Sequence, residues 1–145
     1  MTGQAERDKE SMMLGGAMDV LIPPIDDLPG AGAMGLASEV VSLASRHRPY
    51  NHALSLFTQK LETKWSAQFA DSQKLALLQA LEASDPTTFN AVLELVYLAY
   101  YADPRVHRRV AWPGGPLQPR GFLLAPFNPE SLHTIRERPP FWRQT

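Results

Sequence analysis

The segment DPTTFNAVLELVYLAYYADP, residues 85–104, decides the fold class of this 145-residue chain. Asp85 can accept hydrogen bonds from the free N–H groups of a helix start, and Pro86 suits the first helical position because its missing N–H costs nothing there. The residues that follow are apolar on nearly every side of a helical wheel, and Asp103-Pro104 ends the run. Such a helix is typical of the centre of a bundle. We therefore predict a central helix between Asp85 and Asp103.

Part of this segment, VLELVY, has the composition of a β-strand. Its start signal and its length nevertheless favour a helix. No second segment is available to pair with it, because none alternates cleanly between apolar and polar residues. We therefore predict an all-α fold.

Four further segments carry apolar residues at the spacing of an amphipathic helix. The first helix is predicted from about Glu6 to Leu21, and the second from about Met34 to His47, closed by Pro49. Asn51 is expected to cap the third, and Asp71 or Ser72 the fourth. Their apolar stripes are Leu54, Phe57, Leu61 and Trp65 in the third helix and Leu75, Leu78 and Leu81 in the fourth. The prediction is a compact bundle of about five helices.

Charge and proline divide the chain into a body and an arm within one predicted domain, residues 1–145. Residues 1–103 carry a net charge of −6, whereas residues 104–145 carry +5 and hold 8 of the 13 prolines. We predict a helical body over residues 6–103 and a long, basic, proline-rich and irregular C-terminal arm over residues 104–145. Within that arm, Asn128-Pro129-Glu130 can start a short helix that ends near Arg138.

Gly30, Gly32 and Gly35 have the G-x-G-x-x-G spacing that cradles a dinucleotide pyrophosphate. That motif works only between a buried strand and a long helix, with an acidic residue some 20 positions later. Here the preceding residues are PPIDDLP, and the chain has no βαβ pattern. We interpret the segment as a loop between helices in which Gly30 and Gly32 allow tight turns.

No residue pattern predicts catalysis, a bound cofactor or a metal site in this chain. There is no cysteine, and the four histidines, His47, His52, His107 and His133, lack the spacing of metal ligands. Asp26-Asp27 can hold a cation, but adjacent carboxylates point in different directions and an Asx-type turn explains them equally well. No serine lies in a G-x-S-x-G or S-x-x-K context. We therefore predict a protein that is not an enzyme by itself.

No apolar stretch of the sequence is long enough for a membrane span, and the start of the sequence, residues 1–24, has neither the pattern of a signal peptide nor a twin-arginine pair. We therefore expect a cytoplasmic location as written. The periplasm is expected only if the chain is exported with a partner.

The arm mixes seven arginines with aromatic residues. This composition allows three interpretations. The arm can bind a nucleic-acid backbone with stacking, although it contains no lysine. It can bind a partner protein, because arginine and tryptophan are favoured at hot spots of protein interfaces, and we predict this in place of nucleic-acid binding. It can also wrap the acidic body of its own chain.

Two segments resemble the gluconate 2-dehydrogenase subunit 3 family, the small subunits of flavin-dependent dehydrogenases. The segment DVLIPPIDDLPGAGAMGLASEV is similar to the family's start, and LVYLAYYADPRVHRRVAWPGGPLQPRGFLLAPF to its long helix and W/G-rich ending. The positions that carry the resemblance are Ile22, Pro23, Asp26, Asp27, Pro29, Gly30, Ala31, Ala33, Gly35, Tyr100, Tyr101, Asp103, Pro104, Arg105, Trp112, Pro113, Gly114, Pro116, Gln118, Pro119, Gly121, Pro126, Phe127, Arg136 and Arg138.

The resemblance implies a non-catalytic small subunit. Such a subunit binds and stabilises, or helps to mature, a large FAD-dependent dehydrogenase of the glucose–methanol–choline type that acts on sugars or alcohols. The FAD would lie in that partner, and exported members also supply a twin-arginine signal, which is missing here. The expected partner contacts are Tyr100, Tyr101, Trp112, Arg120, Phe122, Phe127, Phe141 and Trp142.

Two other functions remain open from the sequence. One is a standalone helical interaction or regulatory protein, for which a homodimer is one form. The other is an independent enzyme, which would require a deep pocket with convergent titratable groups.

Overall fold

The computed structural model describes residues 2–115, 121 and 126–138, and this part of the chain contains helices and no strand. The predicted all-α fold is confirmed. The helices are α1 (Thr2–Leu21), α2 (Ala37–Ser45), α3 (Arg48–Lys64), α4 (Asp71–Ser84), α5 (Pro86–Ala102), α6 (Pro104–Arg109) and α7 (His133–Arg136), with a 3-10 helix, Pro129–Leu132, before α7. The chain forms two compact units, Met1–Pro113 and Gly114–Thr145.

The core of the first unit lies between α5 and the four helices that precede it. Helix α5 packs against α2, α3 and α4, and α1 packs against the same three helices. Phe57 of α3 and Phe89 of α5 meet edge to face, with ring centroids 6.1 Å apart. The largest fully buried side chains are Leu14, Met18, Val40, Phe57, Leu61, Leu78, Val92, Leu95 and Val96. This is the predicted bundle of five helices, with α6 packed on α5 as a sixth.

Helix α5 begins and ends where the sequence predicts. The Asp85 carboxylate accepts a hydrogen bond from the backbone N–H of Thr88 (3.1 Å), and Pro86 occupies the first turn. The other carboxylate oxygen lies 2.7 Å from Nζ of Lys60 on α3. The ion pair thus ties the start of α5 to its neighbour.

Replacement of Asp85 by asparagine should cost stability near neutral pH and less in acid. The Lys60 ammonium and the Thr88 N–H lower the pKa of Asp85 from 3.8 to about 2. A carboxyl group whose pKa falls on folding adds stability above its unfolded pKa and loses it as the pH drops through the folded pKa. We expect the difference in unfolding free energy between wild type and Asp85→Asn, measured in urea, to shrink from about pH 5 to about pH 2.

The matched control for this pH series is Asp71→Asn. Asp71 pairs with Lys74 at 3.2 Å, and its side chain is almost fully exposed. Its stability difference should vary little over the same pH range. An equal pH dependence in both variants would contradict the role assigned to Asp85.

Four of the predicted helix boundaries differ from the structure. Helix α1 begins at Thr2 rather than Glu6, and α2 spans Ala37–Ser45 rather than residues 34–47. Pro49 does not close α2, and Asn51 does not cap α3, because α3 already begins at Arg48 with Pro49 in its first turn. A proline fits that turn as well as it fits a helix stop, so the same residue supports either boundary.

The start of α4 also departs from the predicted cap. Asp71 is the first helical residue, and the residue before it, Ala70, occupies the cap position. The backbone N–H of Ala70 donates to the side-chain oxygen of Gln73 (2.9 Å). The reciprocal half of a capping box therefore replaces the expected aspartate or serine cap.

The glycine-rich loop between α1 and α2 crosses α1 at very short range. A Cβ atom on Gly32 would lie 1.8 Å from the carbonyl oxygen of Gly15, and one on Gly30 would lie 2.3 Å from a carboxylate oxygen of Asp19. That carboxylate accepts a hydrogen bond from the backbone N–H of Ala33 (2.9 Å). Of the three glycines in the motif, Gly35 is the one with a left-handed backbone (φ +78°). The predicted turns are present, since the backbone N–H groups of Met34 and Gly35 donate to the carbonyls of Gly30 and Gly32 (both 2.9 Å). The close approach to α1 is what requires glycine at both positions.

Residues 104–109, which we assigned to the irregular arm, form α6 and belong to the first unit. Asp103, the predicted stop for α5, also starts α6 by accepting a hydrogen bond from the backbone N–H of Arg105 (2.8 Å). In the second unit, Asn128 accepts from the backbone N–H of Glu130 (2.9 Å), so a short helical segment starts where it was predicted.

Candidate functional site: an aromatic groove on helix α5

A groove of about 670 Å³ runs along the outer face of α5 and is almost entirely apolar. Its floor is built from Leu93, Tyr97 and Tyr101, which follow one another at intervals of four residues. This spacing places them on one stripe of the helix. The remaining lining residues are Asn90, Glu94, Leu98, Ala102, His107 and Trp112.

Helix α5 is buried on one side and exposed on the other. The predicted central helix, apolar on every side, was expected to be enclosed by its neighbours. Instead, Tyr97, Leu98 and Tyr101 expose 43%, 50% and 59% of their surface. The reason is that α2, α3 and α4 cover the face that carries Val92 and Val96, and none of these three helices covers the face that carries Tyr97, Leu98 and Tyr101.

Trp112 closes one end of the groove. Its indole ring packs edge to face on the His107 ring, with centroids 4.4 Å apart. The chain reaches this position by a sharp turn at Ala111 (φ +54°), after which the backbone N–H of Trp112 donates to the carbonyl of His107 (2.9 Å). Nε2 of His107 lies 2.5 Å from the carbonyl oxygen of Tyr101, so a proton on that nitrogen is donated to the end of α5. Trp112 is thus fixed to the helix that it borders.

A network of arginine contacts fixes α6, and with it the Trp112 wall. The guanidinium of Arg105 donates to both carboxylate oxygens of Asp103 (2.9 and 2.7 Å) and to the carbonyl of Met34 (2.9 Å). These hydrogen bonds lower the pKa of Asp103 and raise that of Arg105. Arg109 pairs with Asp26 and also with Asp27 (3.5 Å). The acidic pair of the loop therefore holds an arginine of its own chain.

These contacts show what two of the seven arginines in the predicted arm bind. Arg105 and Arg109 are engaged in ion pairs within the first unit. This is the third interpretation of the sequence, in which basic residues of the arm pair with the acidic body. We therefore leave both arginines out of the candidate binding surface.

Glu94 is the one carboxylate among the groove-lining residues. Its carboxylate raises the pKa of Tyr50 on α3, chiefly through hydrogen bonding to the tyrosine hydroxyl and then through desolvation. The rest of Tyr50 packs against the core. A core-anchored side chain thus neighbours the acid at the rim of the groove.

The structure brings together two of the eight predicted partner contacts, Tyr101 and Trp112. Tyr100 points into the core, with 7% of its surface exposed, and contributes no wall to the groove. Phe127 is exposed in the second unit. The predicted contacts Arg120, Phe122, Phe141 and Trp142 lie outside the described residues.

Sequence reasoning missed Tyr97 and Leu98 as surface residues and Leu93 as part of the groove floor. The sequence does mark the exposed side of α5, through the positions of its polar residues rather than its apolar ones. Asn90 and Glu94 stand four residues apart on the same stripe as Leu98, which marks that side of the helix as facing water. In a helix with so many apolar residues, two polar positions identify the outer face better than the apolar ones.

Other kinds of site find no support in the described part of the chain. Across residues 2–115, 121 and 126–138, no three His, Asp or Glu side chains gather closely enough to hold a metal ion. Among the same residues, no helix combines the length and apolar character needed to cross a membrane. The G-x-G-x-x-G segment packs Gly30 and Gly32 against α1 and has no strand before it.

Comparison with known proteins identifies no relative. No protein-family model, curated protein or solved structure matches the chain.

Proposed function

We propose that the chain is a non-catalytic subunit that binds a larger protein through the α5 groove. The observation that carries this proposal is the exposure of Tyr97, Leu98 and Tyr101 side by side on a well-packed helix. Contiguous exposed apolar patches of this kind mark interaction sites. Tyrosine and tryptophan are also the residues on which binding energy concentrates in protein interfaces.

We propose as the partner a large FAD-dependent dehydrogenase of the glucose–methanol–choline type, acting on sugars or alcohols. The support is the resemblance of residues 100–114 to the subunit 3 family, because this stretch forms the end of α5, α6 and the Trp112 wall. The FAD and the redox chemistry would belong to the partner. The role of this chain would be to stabilise that subunit or to aid its maturation.

The test is co-purification of the tagged full-length chain from its native host. We expect the wild type to retain a stoichiometric FAD-containing dehydrogenase. The double variant Tyr97→Ala/Tyr101→Ala should bind that protein about thirtyfold more weakly, the loss that one strong hot spot of about 2 kcal/mol produces. Both tyrosines are exposed, so the variant should fold normally.

The control variant is Met12→Ala/Val41→Ala, which removes exposed apolar side chains from α1 and α2. It should bind the dehydrogenase as tightly as the wild type. A tagged chain that brings down only untagged copies of itself would favour a homodimeric interaction protein. A flavoprotein retained equally by both variants would place the interface away from the groove.

A further inference from the structure

We propose that the α5 groove recognises a partner segment in which a basic side chain, arginine or lysine, stands among apolar residues, with Glu94 as its counter-charge. This inference rests on the proposed function and specifies the chemistry of the segment that the groove binds.

The first support is the isolation of the Glu94 charge. Glu94 lies beside an otherwise apolar lining. Within residues 2–115, 121 and 126–138, no lysine, arginine or histidine forms an ion pair with it. An apolar segment that covered the groove would remove water from this carboxylate and give it no partner, which is costly. A basic side chain at that point offsets the cost.

The second support is that Glu94 neighbours a side chain that the fold fixes. Tyr50 packs against the core, and the Glu94 carboxylate raises the pKa of its hydroxyl. A fixed neighbour reduces the conformational freedom that Glu94 loses when a ligand pairs with it. The carboxylate retains free lone pairs, because each oxygen can accept more than one hydrogen bond.

The third support is the position of two aromatic rings next to the acid. Glu94, Tyr97 and Tyr101 are separated by three and four residues, so they lie along one face of α5. The rings of Tyr97 and Tyr101 are 6.2 Å apart and tilted by 45°. The electron-rich face of a tyrosine ring attracts a cation, and most often a guanidinium. Carboxylate and rings therefore favour the same charge, and an acidic segment would be repelled.

The test uses two synthetic peptides that differ in one charge. The first is acetyl-Leu-Ala-Arg-Leu-Ala-amide, and the second has neutral citrulline in place of arginine. Each is titrated into the ¹⁵N-labelled full-length chain and followed by amide and indole chemical shifts. We expect shifts in α5 and at Trp112, and an affinity about fivefold higher for the arginine peptide, as for an ion pair of about 1 kcal/mol.

Two variants assign this preference to its residues. Glu94→Gln keeps an oxygen that can accept from Tyr50 but removes the charge, so it should bind both peptides equally. Tyr101→Ala should weaken both peptides, because it removes part of the apolar floor. Equal binding of the two peptides by the wild type, no binding of either, or a preference that survives Glu94→Gln would overturn the inference.

The two experiments can refute one proposal while leaving the other intact. If co-purification of the flavoprotein depends on Tyr97 and Tyr101 while the peptides show no charge preference, the docking function stands and the role of Glu94 is wrong. If the charge preference is found but the double variant retains the flavoprotein, the groove binds basic segments without being the flavoprotein interface.

Discussion

Truncation of Leu95 to alanine should lower the free energy of unfolding by about 3 kcal/mol, whereas the same truncation at Leu98 should lower it by less than about 1 kcal/mol. Both leucines belong to α5 and stand three residues apart. Leu95 exposes 1% of its surface and Leu98 half of its surface. The first change leaves a cavity in the core, whereas the second removes atoms that already contact water.

The free energy of unfolding of both variants is measured by urea denaturation, monitored by circular dichroism. The pair also separates stability from binding, because Leu98 lines the groove and Leu95 does not. Leu98→Ala should therefore weaken partner binding while remaining nearly as stable as the wild type. Equal destabilisation by the two truncations would mean that α5 is buried on both faces, and would remove the basis for the groove.

Substitution of Gly32 by alanine should destabilise the chain by about 2–3 kcal/mol, at the upper end of the range for overpacking. The added methyl group would lie 1.8 Å from the carbonyl oxygen of Gly15 and 2.9 Å from its Cα. These are backbone atoms of α1, so no side chain can rotate away to make room. The loop must move away from the helix, and the hydrogen bond from the Ala33 N–H to Asp19 would be weakened with it.

The control for this prediction is Gly35→Asn in the same loop. Gly35 has a left-handed backbone, but no atom lies within 4 Å of a Cβ built on it. Asparagine tolerates this backbone conformation better than most residues. Its thermal midpoint should therefore stay near that of the wild type, while the midpoint of Gly32→Ala falls. A Gly32→Ala variant as stable as the wild type would contradict the close crossing of loop and α1.

The ends of α5 could be predicted because local chemistry determines them. Asp85 and Pro86 satisfy or remove the free N–H groups of the first turn, and Asp103-Pro104 stops the helix. Neither signal depends on the rest of the fold. Pro49 shows the limit of such signals, since a proline is compatible with the end of one helix and with the start of the next.

The direction in which α5 faces could not be predicted in the same way. A helix with apolar residues all round has a weak preference for one side, so the positions of α2, α3 and α4 decide which residues are buried. Leu95 and Leu98 are identical in chemistry and opposite in environment. Non-local packing also explains Gly32, because its partner, Gly15, lies in a helix that the loop meets only in the folded chain.

The Trp112 wall depends on contacts within a few residues, but the sequence gives no signal for them. Its approach to α5 needs a left-handed alanine at position 111 and the ring contact with His107. Alanine gives no sequence signal for such a turn, because glycine is the residue usually found there. The prediction of Trp112 as a contact residue used its residue type, and the structure supplies its neighbours.

The most direct test of the central claim, that the exposed face of α5 binds the partner, is site-specific photo-crosslinking in the native host. The photoreactive residue p-benzoylphenylalanine replaces Tyr101 in one strain and the exposed Val41 of α2 in a second. We predict a crosslink from position 101 to the large subunit of an FAD-dependent dehydrogenase and none from position 41. A crosslink to that subunit from position 41 alone, or none from position 101 while the two proteins co-purify, would contradict the claim.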